Sequence, residues 1–191
     1  MIHSPFPVVL DACVLYPSLL RDLLMHLAIA GLYQAKWTDV IHNEWQRNLL
    51  INRPDLSTSQ LNRTSALMNI ALPDAKVEQY EPLIDGLELP DLDDRHVVAA
   101  AIKSNAKIIV TLNLKDFPKK YLKRLDMEAL HPDEFISDLF DLNHALALSA
   151  VRKQRINLKK PKINTREYFD ALLRQGLPMT VKALEKYQCM I

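Results

Sequence analysis

Apolar residues in the first part of the chain alternate between short uninterrupted runs and longer stretches with helical spacing. Short apolar runs bounded by polar residues are typical of strands that are buried on both faces. We predict four such strands, at residues 7–10, 33–37, 107–111 and 127–130. The stretches between them carry apolar residues at the spacing of amphipathic helices. Strands that alternate with helices predict βαβ units and a parallel sheet, which is an α/β fold.

Side chains that can cap helices mark several predicted helix starts. Thr38 is a candidate N-cap for a helix through about residue 50, and Val40 is expected on its packed stripe. Ser57 and Gln60 have the spacing of a capping box, which predicts a helix to about residue 72.

After residue 131 the strand signals stop and helical patterns continue to the last residues of the chain. The predicted helices are residues 132–142, 143–156, 165–175 and 180–187. We therefore divide the chain into an α/β domain, residues 1–131, and a C-terminal helical extension, residues 132–191.

The composition is that of an ordinary globular protein, with 49% hydrophobic and 25% charged residues. No apolar run approaches the length of a transmembrane helix, and the first residues lack the pattern of a signal peptide, so we expect a cytoplasmic protein. The two cysteines, Cys13 and Cys189, match no zinc-binding spacing and are expected to be reduced thiols.

Charge is unevenly distributed along the chain. Residues 1–94 contain 13 acidic and 6 basic side chains, whereas residues 95–191 contain 10 acidic and 18 basic ones. Such a chain can place an acidic site beside a basic surface, as an enzyme that acts on a polyanion requires. The alternative is that the two kinds of charge intermix on a solvated surface after folding.

Several acidic or amide side chains lie just after the predicted strands, at the start of an adjacent helix or, for Glu44, within the helix that follows the second strand. They are Asp11, Glu44, Asp93, Asp94, Asn113 and Asp116. In an open parallel sheet these positions share one edge, where ligands bind, so we expect the side chains to converge. Because the donors are all oxygen atoms, the expected ion is Mg²⁺ or Mn²⁺.

Each of these residues also has a simpler structural explanation. Asp11 is suited to a helix N-cap or a turn, and Asp93 and Asp94 to capping the next helix. Thr111 either orients a carboxylate or simply ends its strand, and His96 is expected to be a packed or capping histidine.

Two basic clusters are candidates for RNA contact. Lys115, Lys119 and Lys120 follow the predicted acidic site, and Arg152 and Arg155 begin the segment RKQRINLKKPK, which contains no acid. If both clusters flank the acids they offer an RNA track, and otherwise they are a solubilising surface.

The order and spacing of these residues resemble those of a PIN domain, most closely the VapC type of toxin ribonuclease. Asp11 follows an apolar strand, Glu44 lies on a helix, and the segments DLDDRHVVAAA and TLNLKDF come later in the chain. The resemblance covers roughly residues 5–131. Beyond it, HPDEFISDL and NTREYFDALLRQGLP resemble the C-terminal helical region of one subgroup of these toxins.

This resemblance implies a three-layer α/β/α sandwich and a Mg²⁺- or Mn²⁺-dependent endoribonuclease. It further implies a cognate antitoxin as partner, transfer RNA as the favoured substrate and dimerisation. By the same resemblance Asp11, Glu44 and Asp94 are the first three acids of the site, with Asp93 as the alternative third acid. Many members carry an acid where this chain has Asn113. Either Asp116 compensates for this loss, or this member binds a single ion or binds it poorly.

Other functions remain open at this point. A phosphotransferase with Asp11 as nucleophile would need a second acid where this chain has Cys13, and a DNA-directed nuclease would use the same carboxylates. The non-enzymatic alternative is a PIN-like scaffold that binds a protein or RNA, which the amide of Asn113 makes plausible.

Overall fold

The predicted parallel sheet is confirmed in a computed structural model that describes residues 5–159 and 162–191. Four strands lie in the order β2-β1-β3-β4, and every neighbouring pair is parallel. The strands are β1 (Pro7–Leu10), β2 (Gln34–Lys36), β3 (Ile108–Val110) and β4 (Glu128–Leu130). Three of them are shorter than the apolar runs that predicted them. Helices flank the sheet, so the expected α/β/α layering is also confirmed.

The register of the two central strands sets the position of the site. Leu10 of β1 pairs with Val110 of β3, so the next residues, Asp11 and Thr111, leave the sheet side by side. The backbone N–H of Asp11 still bonds the carbonyl of Val110 (3.1 Å), and that of Thr111 bonds the carbonyl of Leu130 (3.0 Å). Both side chains therefore start from backbone that the sheet holds in place.

Helices connect the strands of the α/β part, and two of them begin at the N-caps that the sequence predicts. They are α1 (Ala12–Leu15), α2 (Ser18–Ile29), α3 (Asp39–Asn52), α4 (Thr58–Ala71), α5 (Arg95–Lys103) and α6 (Lys119–Arg124). The Thr38 hydroxyl accepts the Ile41 N–H (3.1 Å) at the start of α3, and the predicted capping box of Ser57 and Gln60 is formed at the start of α4. Such caps contribute about 1 kcal/mol each.

The packing of Val40 was predicted wrongly. Its side chain is 40% exposed, whereas Ile41 and Trp45 on the same helix are fully buried. The apolar stripe of α3 thus excludes Val40, because neighbouring helical positions point about 100° apart.

The C-terminal region consists of α7 (Pro132–Asn157), α8 (Thr165–Arg174) and α9 (Pro178–Glu185). Helix α7 is interrupted at Asn143, whose backbone is extended and whose amide oxygen accepts the Leu146 N–H (3.1 Å). This break lies where the sequence predicts that one helix ends and another begins.

The extension packs on the α/β part through α2 and α7. Gln154 of α7 is fully buried, and its amide group donates to the carbonyl of Leu19 in α2 (2.8 Å). Its amide oxygen accepts the Tyr168 hydroxyl of α8 (2.6 Å). One side chain thereby joins three helices. The division of the chain at residue 131 stays a prediction.

Across residues 5–159 and 162–191, none of the helices is both long enough and apolar enough to cross a lipid bilayer. Lys160, which belongs to the predicted basic segment, lies outside the described residues.

Candidate active site

Asp11 lies at the carboxyl end of β1 and is the N-cap of α1. Its Oδ1 accepts the N–H of Ala12 (2.6 Å), and the side chain is 5% exposed. The capping role that the sequence suggested is therefore real. It does not exclude a second role, because an ionised carboxylate has about four acceptor positions.

Two further donors hold the other oxygen of Asp11. The Thr111 hydroxyl donates to Oδ2 (2.7 Å), and the Cys13 thiol donates to the same oxygen (3.0 Å). Of the two roles considered for Thr111, the structure shows that it orients a carboxylate. The contact of Cys13 was missed, since only the strand register brings residues 13 and 111 together.

Burial, the charge of Asp11 and the hydrogen bond to Asp11 raise the pKa of the Cys13 thiol to about 12, against smaller opposing effects of Thr111 and the Leu112 N–H. A thiol with that pKa stays protonated at neutral pH, and the thiolate is the nucleophilic form of cysteine. Cys13 is therefore a hydrogen-bond donor and not a nucleophile.

Glu44 projects from α3 and meets His96 of α5, with 3.1 Å between Glu44 Oε1 and His96 Nε2. The His96 side chain is only 9% exposed, and its Nδ1 is buried without a hydrogen-bond partner among the described residues. A proton on Nδ1 would be a buried donor without an acceptor, so the favoured tautomer carries its proton on Nε2 and donates to Glu44. His96 is packed, as predicted, but it also fixes a predicted site carboxylate.

Asp94 immediately precedes α5 and is partly buried. Its pKa is raised from 3.8 to about 7, first by burial and then by the charges of Asp11, Asp91, Asp116 and Glu44. Those four carboxylates come from separate segments of the chain, yet all lie within electrostatic reach of Asp94. The structure thus places three predicted residues, Asp11, Glu44 and Asp116, within electrostatic reach of a fourth, Asp94, together with Asp91.

The two remaining predicted residues, Asp93 and Asn113, are more exposed to solvent. Asp93 is exposed, and its backbone N–H donates to Asp91 Oδ1 (2.9 Å). Asp93 is not among the acids that raise the pKa of Asp94, and Asp94 is the less exposed of the two, which favours Asp94 as the third acid. Asn113 is exposed, and its backbone N–H donates to the Thr111 hydroxyl (3.0 Å).

The donor chemistry fits a hard divalent cation. Within the part of the chain that the structure describes, no three His, Cys, Asp or Glu side chains are close enough to form a ready-made metal cage. Mg²⁺ does not require one, because it is commonly held by one or two carboxylates and keeps several waters. A cation here would also relieve the mutual repulsion that raises the pKa of Asp94.

The basic residues predicted to contact RNA fall into two groups. Lys115, Lys119, Lys120 and Arg152 are exposed. Arg155 differs, because its guanidinium donates to the carbonyl oxygens of Ile163 (3.2 Å) and Ile191 (2.9 Å). These bonds tie the end of α7 to later parts of the extension. The structure therefore does not support an RNA contact for Arg155.

Two models of known protein families match this chain. The family model described as PIN domain matches residues 7–115, which is more than half of the chain and includes Asp11, Glu44 and Asp94. The chain belongs to the PIN domain family. A second model, described as VapC50 C-terminal domain, matches residues 132–186 of this PIN domain protein. The resemblance drawn from the sequence motifs is thus confirmed for both regions.

A curated relative of this PIN domain protein is the protein named "Putative ribonuclease VapC50" of Mycobacterium tuberculosis (strain ATCC 25618 / H37Rv). The two are 38% identical over 90 residues, which are 47% of this chain and 53% of the relative. The match thus spans about half the length of that relative. No solved structure matches the chain.

Proposed function

We propose that this PIN domain protein is a Mg²⁺- or Mn²⁺-dependent endoribonuclease and the toxin of a toxin–antitoxin pair. The observation that carries the proposal is the partly buried carboxyl of Asp94, whose pKa is raised by burial and by the charges of four other carboxylates. The name of its relative from Mycobacterium tuberculosis includes the word ribonuclease, which supports RNA as the polymer.

The proposed ligands follow from position and burial. Asp11 and Asp94 would hold the ion, since Asp11 is fixed by three hydrogen bonds and Asp94 lies where the charges of the other acids act. Asp116 and the amide of Asn113 would complete the shell through bound waters. Asp93, the alternative to Asp94, is the weaker choice because it is exposed.

The chemistry that a divalent ion supplies in such a site is polarisation of the phosphodiester and a lowered pKa of the attacking water. The protein supplies the orientation. Thr111 and Cys13 hold Asp11, and His96 holds Glu44 so that its carboxylate can accept a hydrogen bond from the attacking water. Exposed lysines beside Asp116 would attract the RNA backbone.

The partners and setting are proposed on the same family relationship. They are a cognate antitoxin, transfer RNA as the favoured substrate, a homodimer as the assembly and the cytoplasm as the compartment. The apolar face of α2 is a poor antitoxin site along its contact with α7, because the extension already packs there.

The experiment that tests this function compares the parent protein with Asp11→Asn on single-stranded RNA, single-stranded DNA and transfer RNA. We expect the parent to cut RNA when Mg²⁺ or Mn²⁺ is present and to stop when EDTA is added. Asp11→Asn should retain its circular dichroism spectrum and lose cleavage. Asp170→Asn, which changes an exposed acid of α8, is the matched control and should cut like the parent.

Two results would contradict the proposal. Preference for DNA would indicate a DNA-directed nuclease. Absence of both cleavage and Mn²⁺ binding would indicate a binding scaffold. Sequencing of RNA ends after brief expression would then identify the substrate of an active protein.

A further inference from the structure

We propose that Cys13 is a positioning residue of the candidate active site, which holds Asp11 in the orientation needed to bind the metal ion. The inference rests on the proposed function, because it assigns Asp11 as a ligand. It gives a role to a thiol that is neither a ligand nor a nucleophile.

Asp11 accepts three hydrogen bonds from the protein. Its Oδ1 accepts one hydrogen bond, from the Ala12 N–H, whereas Oδ2 accepts two, from Thr111 and Cys13. Each carboxylate oxygen has two acceptor positions. Oδ2 is therefore saturated by protein donors, and Oδ1 keeps one free position. Oδ1 is therefore the oxygen of Asp11 through which it would bind a cation.

The thiol of Cys13 has a second hydrogen-bond partner besides Asp11. The backbone N–H of Leu112 donates to Cys13 Sγ (3.1 Å), while the same sulfur donates its hydrogen to Asp11. The thiol thus links the acid after β1 to the backbone after β3. The Thr111 hydroxyl has only one hydrogen, and Asp11 receives it. The 3.3 Å contact between Cys13 Sγ and Thr111 Oγ1 is then close packing that fixes the two donors side by side.

These contacts predict different effects for two substitutions. Cys13→Ala removes a donor from Asp11 and leaves the Leu112 N–H without its acceptor. Cys13→Ser keeps one donor and one acceptor, although the shorter carbon–oxygen bond reaches its partners less well. Removing a residue that orients a metal ligand costs about 10- to 100-fold in metal affinity. We expect Cys13→Ala to lose at least about tenfold, and Cys13→Ser to recover most of that loss.

The test measures Mn²⁺ affinity by calorimetry on the full chain, so it needs no RNA and no turnover. The proteins are the parent, Cys13→Ala, Cys13→Ser, Thr111→Val and Asp11→Asn. Cys189→Ala is the matched control, because Cys189 is an exposed cysteine of the extension. We expect the control to bind like the parent, Cys13→Ser to follow closely, and Cys13→Ala and Thr111→Val to bind more weakly.

A second measurement keeps the inference testable if Cys13→Ala does not fold. In a Cys189→Ser background Cys13 is the sole thiol, and its S–H stretching band in the Raman spectrum reports the hydrogen bond to Asp11. We expect Asp11→Asn to move this band to higher frequency, because a neutral amide is a weaker acceptor than a carboxylate.

The outcomes separate the two proposals. Equal Mn²⁺ affinity of the parent and Cys13→Ala, with Asp11→Asn impaired, would overturn the role of Cys13 and leave the metal site intact. An S–H band whose frequency is the same in the parent and in Asp11→Asn would also overturn the role of Cys13. If the parent binds no Mn²⁺ through Asp11, the proposed function fails and the role of Cys13 fails with it.

Discussion

Asp94 is the residue of the candidate site whose pKa is raised by the charges of the other acids. Burial disfavours its ionised form, and four neighbouring carboxylates disfavour it further, so its pKa is raised to about 7. In the folded chain without a cation this carboxyl carries a proton for part of the time at neutral pH. The same electrostatics that would attract a metal ion therefore make the metal-free protein less stable.

The first prediction concerns Asp94→Asn in the presence of EDTA. Asp94 ionises near pH 3.8 in the unfolded chain and near pH 7 in the folded one, so raising the pH through this window destabilises the parent. The variant lacks this effect. We expect it to be more stable than the parent by about 1 to 2 kcal/mol above the window, because partial exposure reduces the full electrostatic cost. Below the window, the advantage should vanish. Urea denaturation at several pH values measures it.

Asp93→Asn is the control for this prediction, because Asp93 is the exposed neighbour that does not act on Asp94. Its stability should follow that of the parent at every pH. If both variants gained the same stability at high pH, the effect would come from general charge reduction and not from the cluster.

The second prediction uses the two ring nitrogens of His96. The amide nitrogen of glutamine can take the place of Nε2, which contacts Glu44, whereas that of asparagine takes the place of Nδ1. His96→Gln should therefore keep Glu44 in position, and His96→Asn should leave it without this donor. A hydrogen bond to a charged group contributes about 1.5 to 3 kcal/mol, so we expect His96→Asn to lose roughly tenfold or more in RNA cleavage. Equal rates for the two variants would contradict this role.

The sequence gives the positions of site acids better than it gives their partners. Asp11, Glu44, Asp94 and Asp116 could be named because each follows a strand or lies near the start of a helix, and topology brings such positions to one edge. The contact of His96 with Glu44 and that of Cys13 with Asp11 depend on helix orientation and strand register. Arg155 looks like its basic neighbours in the sequence, and only the fold shows that its donors are used internally.

Asp133 is the residue that holds α9, the last helix of the extension, in place. It lies in the first turn of α7, is buried, and accepts hydrogen bonds from the N–H of Met179 and from both the N–H and hydroxyl of Thr180. These donors belong to the first turn of α9, where a negative charge also interacts favourably with the helix dipole.

The third prediction follows from this anchor. Asp133→Ala leaves the donors of the first turn of α9 without their acceptor, so we expect a loss of about 3 kcal/mol or more in stability. Hydrogen exchange should rise first in residues 178–185. Asp133→Asn keeps one acceptor oxygen and should lose less. Uniform exchange along the chain in both variants would show that α9 is not held by this contact.

Elements with long periodic patterns or caps could be predicted, and short ones could not. The strand β1 and the starts of α3 and α4 follow from an apolar run and from N-caps. The helix α1 has only four residues, which is too short to show a period, and α6 is mostly polar. The break at Asn143 matches the predicted boundary between helices 132–142 and 143–156, and the structure shows the Asn143 amide oxygen accepting the Leu146 N–H there.

The extension and the α/β part share buried contacts, so the fourth prediction is that they unfold together. Both tryptophans, Trp37 and Trp45, lie in the α/β part, whereas α7, α8 and α9 contribute strongly to the far-ultraviolet circular dichroism. We expect urea curves from tryptophan fluorescence and from circular dichroism to coincide. In Gln154→Ala, which removes the contacts to Leu19 and Tyr168, the two curves should separate. Separate curves in the parent would favour two independent domains.

The fifth prediction follows from the uneven charge distribution of the chain. Basic side chains of residues 95–191, the basic half, would bind the RNA backbone close to the acidic site. Each phosphate contact to a single strand adds about 0.7 to the slope of log affinity against log salt concentration. Replacing Lys119 and Lys120 with glutamine should lower that slope by up to about 1.4 and weaken binding at low salt. Arg152→Gln tests the extension in the same way. Arg63→Gln changes an exposed cation of α4 in the acidic half and should leave the slope unchanged. If Arg63→Gln lowers the slope as much as the lysine pair does, the RNA does not bind preferentially to the basic half. The uneven charge would then serve only to keep the surface solvated.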